Sequence, residues 1–571
     1  MDRTRVLSVA RGDAPADLAL DGGRVVNVFT HEILEQSVAV VDGIIAAVGE
    51  ARDARERIDL GGRLLLPGLI DAHVHLESSM VVPSEFARAV VPRGTTTVVC
   101  DPHEIANVAG LEGVRWMLAA SADLPLDVLV MAPSCVPATD LATSGARLTA
   151  ADLATLAGEP RVLGLAEVMN VPGAVLGDPE VHAKLDTFAG RPVDGHGPGL
   201  GGRWLDAYIA CGVGSDHECL AADEAMEKLR RGMRIFLRQG TGAKNLVDLL
   251  PVVSAATLPR CALCTDDRHP HDLLDEGHID HLLRLAIEHG LDPVEAICLA
   301  TLSAADAFGL SDRGAVAPGR RADLVVCSDL ESFRAEMVFA GGRMVARDGE
   351  PVCDWPAADP GNRSLPAAMA IDVDTLDFRA PATRPSCRVI GIVPGQLVTE
   401  HLIEELPVHN GSALPYPDRD IAILAVVERH HGSGNVGVGF VRGLGLRRGA
   451  IAGTVAHDHH NLVVAGCDET SMRTAAAAAT AMGGGLVAVD GERVLARLPL
   501  PVAGLMSDRS LAEVRAGLDD LVTAARELGC THPDPFMILS FLALEVIPAL
   551  KLTDRGLVDV ERFELVPVAV D

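Results

Sequence analysis

Residues 67–75 of the chain read PGLIDAHVH, an apolar run that ends in two histidines one residue apart. In a strand, residues i and i+2 face the same side, so His73 and His75 are predicted to point together. Two neutral imidazoles on one face form half of a metal site. An isolated pair of this kind is more often two solvated or core histidines, so the interpretation depends on the rest of the chain.

Eight apolar strand candidates alternate with helical stretches between about Leu64 and Leu310. They end at 71–75, 99–104, 130–133, 165–167, 194–196, 214–217, 235–238 and 264–267. Eight βα units in about 250 residues predict a (β/α)8 barrel. An open doubly wound sheet is the alternative, but it explains less well why polar residues recur at nearly every strand end.

Four histidines and two carboxylates fall at these strand ends: His73, His75, Glu167, His196, His217 and Asp266. A barrel brings its strand ends together at one mouth, so the six side chains are predicted to converge on metal. Six ligands suit two ions better than one, and a carboxylate such as Glu167 can bridge two cations. A carbamylated lysine is the rival bridge, but Lys184, Lys228 and Lys244 all lie in predicted surface helices or loops.

Short strands flank the predicted barrel on both sides. Runs at 18–20, 24–28, 37–41 and 44–48 are separated by predicted hairpin turns at 21–23 and 42–43, and a similar piece spans about 313–349. Neither piece is long enough for a core of its own. We therefore expect a small β domain made from 1–63 and 313–362, a catalytic barrel at 64–312 and a C-terminal α+β domain at 363–571.

Composition excludes several classes of partner. The formal net charge is −30, which repels nucleic acid and anionic membranes, and only 3% of residues are aromatic. The N-terminus lacks the apolar core of a signal peptide, and the 12 cysteines show no disulfide spacing. The prediction is a cytoplasmic protein with no membrane segment that acts on a small molecule.

The segment 67–75 resembles the first-strand signature of the amidohydrolase superfamily, and APGRRADLV at 317–325 resembles the segment with which those chains return to their small β domain. More narrowly, HLESSM at 75–80, DPHEIANV at 101–108 and TDDRHP at 265–270 are similar to the bacterial adenine deaminases. So is VAHDHHN at 455–461, where that family often has Ser in place of His459. The resemblance covers nearly the whole chain, including the third domain, which most amidohydrolases lack.

The resemblance implies hydrolysis of adenine to hypoxanthine and ammonia at a binuclear centre of manganese or iron(II), with zinc as a further option. It also implies a preference for free adenine over adenosine. We expect a homo-oligomer, specifically a dimer.

The chemistry assigns further roles. Attack on a purine C6 requires hydroxide at neutral pH, which metal ions supply by lowering the pKa of bound water to about 7. Asp266 can take the hydroxide proton and deliver it to the leaving amine. A second acid must protonate a ring nitrogen, and Glu104 and Glu77 are the candidates. Capping of a helix N-terminus is the alternative role of both glutamates. His103 is the candidate for polarising the substrate. The residues expected to bind the substrate are Glu77, Ser79 and His457.

Two other functions stay open at this point. One is another cyclic amidine or amide hydrolase on the same barrel, which activity on cytosine or dihydropyrimidines would reveal. The other is a non-catalytic scaffold, which a metal-free purified protein would favour. The histidine-rich segment 455–461 is expected to approach the metal mouth, in the same chain or a symmetry mate, and to help enclose the substrate.

Overall fold

The computed structural model describes residues 3–352, 354–355, 365, 369–394 and 396–570. The first flank contains α1 (Arg3–Arg11), β1 (Ala16–Asn27), β2 (Glu32–Val41), β3 (Ile44–Gly49), β4 (Ala54–Asp59) and β5 (Leu64–Pro67). Asp42 and Gly43 have φ values of 51° and 76°, as a two-residue turn between β2 and β3 requires. The predicted turn at 21–23 is wrong, because these residues stay inside β1, where a bulge shifts the register against β2.

Short parallel strands form the central barrel: β6 (Leu69–His75), β7 (Thr95–Cys100), β8 (Asp127–Ala132), β9 (Val162–Val168), β10 (Val193–Gly195), β11 (Ser215–Asp216), β12 (Arg234–Arg238), β13 (Cys261–Cys264) and β14 (Asp266–Asp267). One sheet has the order β10-β9-β8-β7-β6-β14 and the other β11-β12-β13. Thr265 alone separates β13 from β14, so the two together act as the eighth strand. Gly214 N–H donates to Val193 O (2.9 Å) at the seam between β10 and β11.

Helices follow the barrel strands: α2 (Pro83–Val90), α3 (His103–Ala120), α4 (Ala150–Ala154), α5 (Val171–Leu176), α6 (Pro179–Thr187), α7 (Gly202–Ala210), α8 (Ala222–Arg230), α9 (Leu246–Leu249), α10 (Pro270–Asp275), α11 (Ile279–Glu288), α12 (Pro293–Leu299) and α13 (Leu302–Ala307). Apolar side chains that range from Ala72 to Ile70 and Phe236 fill one buried cluster. The larger cluster joins the helices to the other strand faces. The interior of the barrel is therefore a packed core, and the functional side chains of such a barrel lie at the ends of its strands.

The chain returns to the first sheet through β15 (Leu324–Cys327), β16 (Met337–Ala340), β17 (Arg343–Arg347) and β18 (Glu350–Pro351). β15 pairs antiparallel with β5, so both flanks build one sheet. The predicted domain boundary at 362–363 lies outside the described residues, and the division of the chain at the predicted positions stays a prediction.

The C-terminal part is a separate α+β unit. Its strands are β19 (Ala380–Pro381), β20 (Ser386–Ile392), β21 (Thr399–Glu405), β22 (Val408–His409), β23 (Ser412–Ala413), β24 (Ile421–Val427), β25 (Val436–Arg442), β26 (Ala450–Gly453), β27 (Leu462–Gly466), β28 (Gly485–Asp490), β29 (Arg493–Pro499), β30 (Leu550–Thr553), β31 (Gly556–Asp559) and β32 (Glu564–Val566). Its helices are α14 (Glu469–Ala481), α15 (Leu511–Glu527) and α16 (Pro535–Phe541). The largest sheet of this C-terminal unit has the order β21-β20-β25-β24-β27-β26-β28-β29. The predicted fold class, a barrel with a flanking β domain and a separate C-terminal α+β unit, is confirmed.

Across the described ranges, no helix combines the length and the apolar character needed to span a membrane.

Candidate active site

Two buried histidines lie at the end of β6, with their Nε2 atoms 3.2 Å apart. Ile70 and Ala72 of the same strand line the barrel interior, and an irregular register against β7 beyond Asp71 lets His73 and His75 face that interior too. His73 Nδ1 lies 3.0 Å from Asp194 Oδ2. His75 Nδ1 donates to a backbone carbonyl, Asp101 O, at 2.9 Å. With both Nδ1 atoms engaged, the two Nε2 lone pairs converge on one point.

Glu167, at the end of β9, lies between further histidines. Its Oε1 is 3.4 Å from His75 Nε2. Its Oε2 is 2.7 Å from His196 Nδ1 and 3.3 Å from His217 Nε2. One carboxylate thus turns one oxygen toward β6 and the other toward the ends of β10 and β11, which is the arrangement a bridging ligand needs.

Asp266 completes the cluster from the eighth strand. Its Oδ1 lies 3.1 Å from His75 Nε2 and 3.5 Å from His73 Nε2, and its Oδ2 accepts from Arg238 Nη1 at 3.0 Å. Its φ of 58° places this non-glycine residue in the left-handed region. Such a conformation persists only where the surroundings hold it, as they do at a functional site.

These six side chains fit divalent metal ions. Imidazole and carboxylate are the donors that borderline cations such as zinc, iron and manganese accept. The fit is supported by His217, which is buried and whose two ring nitrogens have no hydrogen-bond partner among the described residues. A buried ring nitrogen without a partner costs free energy unless it binds something, and a neutral imidazole beside a carboxylate is suited to a cation.

Lys228 of α8 is fully buried, which corrects the predicted surface position. Its ammonium donates to Gly197 O (2.7 Å), Glu224 Oε1 (2.7 Å) and Asp216 Oδ2 (3.2 Å). Gly197 follows His196 and Asp216 precedes His217, so one lysine supports both loops. Lys228 also pairs with Glu224, four residues earlier on α8, and tertiary packing buries the lysine side chain completely.

Lys184 is also mostly buried, contrary to prediction, and donates to Ser134 O at 2.8 Å. Lys244 is exposed, as predicted.

Glu104, at the start of α3, is held by two histidines of the loop 454–461 between β26 and β27. His457 Nδ1 is 2.5 Å from its Oε1, and His460 Nε2 contacts its Oε2. Ala456 N–H donates to His460 Nδ1 (3.1 Å), so His460 carries its proton on Nε2. The structure therefore places this loop at the barrel mouth of the same chain.

The charges at this contact set the protonation states. Burial raises the pKa of Glu104, but the protonated His457 and the ring N–H groups of His460 and His103 outweigh it and hold the pKa well below its usual range. Burial lowers the pKa of His457, and the adjacent Glu104 carboxylate more than compensates, raising it to about 9. The pair is thus an ionised carboxylate with a protonated imidazole.

Glu77 follows β6 in a 3₁₀ turn. Its Oε1 accepts from Ile105 N–H (3.1 Å) at the start of α3, as the capping alternative predicted. Its buried Oε2 has no hydrogen-bond partner in the part of the chain that the structure describes. Burial raises the pKa of Glu77 to about 7, so the group can also hold a proton near neutrality. Ser79 Oγ donates to Leu76 O (2.6 Å) within the same turn, and its role in substrate binding stays a prediction.

His103 links the cluster to the C-terminal loop. Its Nδ1 lies 3.0 Å from Asp101 Oδ2 and 3.3 Å from Glu167 Oε1. Its Nε2 lies 3.8 Å from Asp458 Oδ1. His103, which is predicted to polarise the substrate, thus lies between the predicted metal ligands and the segment 457–460.

Sequence reasoning missed several members of the site. Asp194 orients His73. Glu218 forms an ion pair with Arg238, and its Oε1 lies 3.7 Å from both His196 Nδ1 and His217 Nε2. The signal was available, because both acidic residues lie within two positions of a predicted ligand at a strand end.

Two family models match the chain: the amidohydrolase family over residues 64–345 and the adenine deaminase C-terminal domain over residues 396–564. A protein of Desulfatibacillum aliphaticivorans named adenine deaminase is 51% identical over 98% of this chain and 99% of its own length. Adenine deaminase 2 of Carboxydothermus hydrogenoformans is 50% identical over 99% of both chains. Adenine deaminase of Brucella suis is 47% identical over 97% of this chain and 95% of its own. The cluster at the strand ends, the loop that covers it and these full-length similarities together show that the chain belongs to the adenine deaminase family of amidohydrolases.

Proposed function

We propose that the protein hydrolyses adenine to hypoxanthine and ammonia at a pair of divalent metal ions, as an enzyme of purine salvage. The observation that carries the proposal is Glu167, whose two oxygens lie within 3.4 Å of histidines on three different strand ends. The relatives named adenine deaminase, about half identical over nearly their full length, supply the substrate. They do not favour the two alternative functions.

The metal ions would be held by the six strand-end residues: His73, His75, Glu167, His196, His217 and Asp266. Manganese or iron(II) is the proposed metal, with zinc as the further option. When bound, the ions act as Lewis acids and lower the pKa of water to about 7, which provides the attacking hydroxide at neutral pH.

The remaining steps belong to side chains. Asp266 takes the proton from the attacking water and delivers it to the amine as the bond from C6 to nitrogen breaks. Arg238, 3.0 Å from Asp266 Oδ2, holds the carboxylate in place for this transfer. His103 polarises the ring from its position beside Glu167.

Protonation of the ring nitrogen is assigned to Glu104. As an ionised group it must first receive a proton, and the protonated His457 at 2.5 Å supplies it. The carboxylate then passes this proton to the ring nitrogen. The second proton of the attacking water leaves the C6 hydroxyl as the carbonyl forms and, through solvent, restores the protonated His457. Glu77 is the alternative acid, and together with Ser79 and His457 it is proposed to contact the substrate.

The test is metal analysis of the purified protein alongside an ammonia-release assay on adenine, adenosine and cytosine. We expect two ions per chain and activity on adenine well above that on the other two compounds. Comparable kcat/KM for adenosine, or release from cytosine alone, would refute the proposal.

Location and assembly are part of the same proposal. The described cysteines are free thiols, which supports a reducing compartment such as the cytoplasm. We propose that the protein is a homodimer, which light scattering on the purified protein tests. We also propose that the small β domain comprises residues 1–63 and 313–362, the barrel residues 64–312 and the C-terminal domain residues 363–571.

A further inference from the structure

A second group of polar side chains lies beyond His103 and takes no part in the steps above. It consists of Asp458 and His459 from the loop 454–461 and Glu545 from the segment after α16. All three are buried, with relative exposures of 2%, 3% and 0%. His459 Nε2 lies 3.4 Å from Glu545 Oε1, and Thr139 Oγ1 donates to the same oxygen at 2.5 Å.

Four atoms of this group have no hydrogen-bond partner among the described residues: Asp458 Oδ2, His459 Nδ1, His459 Nε2 and Glu545 Oε2. Each such buried atom destabilises the folded protein unless a partner satisfies it. Native proteins rarely collect several of them in one place unless a ligand or ordered solvent satisfies them. The group is therefore a candidate binding site.

The position of the group relates it to the reaction. Asp458 Oδ1 is 3.8 Å from His103 Nε2, and His103 Nδ1 is 3.3 Å from Glu167 Oε1. Phe541 of α16 stacks on His457 with ring centroids 4.5 Å apart, so the segment carrying Glu545 packs directly on the loop. Asp458 thus faces one ring nitrogen of His103, and Glu167, a predicted metal ligand, faces the other.

The chemistry of a purine matches this arrangement. When C6 is at the metal ligands, the opposite edge of the ring presents N9–H, a donor, and N3, an acceptor. Glu545 offers a carboxylate acceptor and His459 a ring N–H donor.

We infer that Glu545 and His459, with Asp458 beside them, bind the N9–H and N3 edge of the purine, so that the C-terminal unit selects free bases over compounds substituted at N9. The inference rests on the proposed function and adds to it the residues that determine specificity. A site built to accept a hydrogen bond rejects an analogue that lacks the donor, because the buried acceptor is then left unpaired.

The experiment measures binding by calorimetry to the metal-loaded enzyme, with hypoxanthine and 9-methylhypoxanthine as probes. Neither probe has an amine to lose, so turnover does not enter. We expect the wild type to bind hypoxanthine at least 100-fold more tightly than its methylated form. Glu545→Gln should weaken hypoxanthine binding roughly 10- to 100-fold, as loss of a charge-assisted hydrogen bond does. Binding of 9-methylhypoxanthine should change less than about threefold by the same argument, so the preference collapses.

Glu564→Gln, at an exposed position of the same unit, is the matched control and should leave both affinities unchanged. If Glu545→Gln does not fold, Thr139→Val removes the hydroxyl that anchors Glu545 and should reduce the preference in the same direction. Equal weakening of both probes would show a structural role only, and unchanged affinities would show that ordered water alone satisfies these groups. Either result overturns the inference. A wild type that releases no ammonia from adenine would instead refute the proposed function.

Discussion

Replacing Lys228 with methionine should disable the metal site without touching a metal ligand. Methionine keeps most of the side-chain volume and removes the ammonium that holds Gly197 O, Asp216 and Glu224. Because Gly197 follows His196 and Asp216 precedes His217, release of these groups should free both ligand loops. We expect Lys228→Met to lose at least one ion per chain.

The magnitude follows from burial. The side chains of Lys228 and Asp216 are 0% exposed and that of Glu224 is 15% exposed. Breaking a buried ion pair by removing one partner costs about 3–5 kcal/mol, because it leaves an uncompensated charge. Asp216 keeps two backbone donors, Gly197 N at 3.0 Å and Glu218 N at 2.7 Å, which argues for the lower end of that range.

Urea unfolding and metal analysis of the two lysine variants test this reasoning. Lys244→Met is the control, since Lys244 and its partner Glu276 are 44% and 31% exposed and 3.3 Å apart. A pair of this kind contributes at most about 1 kcal/mol. If both variants lost the same stability, or if Lys228→Met kept its full metal content, the assigned role of Lys228 would be wrong.

Three further variants test the catalytic assignments. Glu167→Gln should lose metal, since a neutral amide bridges cations poorly, and full metal content with full rate would contradict the bridging role. Asp266→Asn should bind adenine yet lose turnover by at least about 100-fold, because an amide cannot shuttle the proton; an active variant would transfer that role to another acid. His457→Ala should lower kcat/KM roughly 10- to 100-fold with two ions still bound. Because the active form of His457 is protonated and its pKa is raised to about 9, wild-type activity should fall as pH rises through 9. The rate of the variant should not fall over this pH range, and unchanged kinetics would refute the role of His457 in proton delivery.

The local sequence pattern was enough to predict the barrel, because each strand and the ligand at its end are encoded within a few consecutive residues. Each strand candidate was an apolar run, and each predicted ligand stood at its end, as His196 and His217 do. The parallel barrel then requires these ends to meet at one mouth. The turn at 21–23 failed for the opposite reason, since two glycines are equally compatible with a hairpin and with the bulge that occurs inside β1.

The sequence by itself determined the residue types at the strand ends, the order of the strands and therefore the approximate place of the metal ligands. Only the tertiary structure decided the burial of Lys228 and the contacts between the barrel and the C-terminal unit. Glu104 and His457 are separated by 353 positions yet lie 2.5 Å apart, and no local period specifies such a contact. It arises because one apolar core cluster extends from the barrel into the C-terminal unit. This packing brings the loop 454–461 to the barrel mouth, where buried polar side chains are stable only if they find partners.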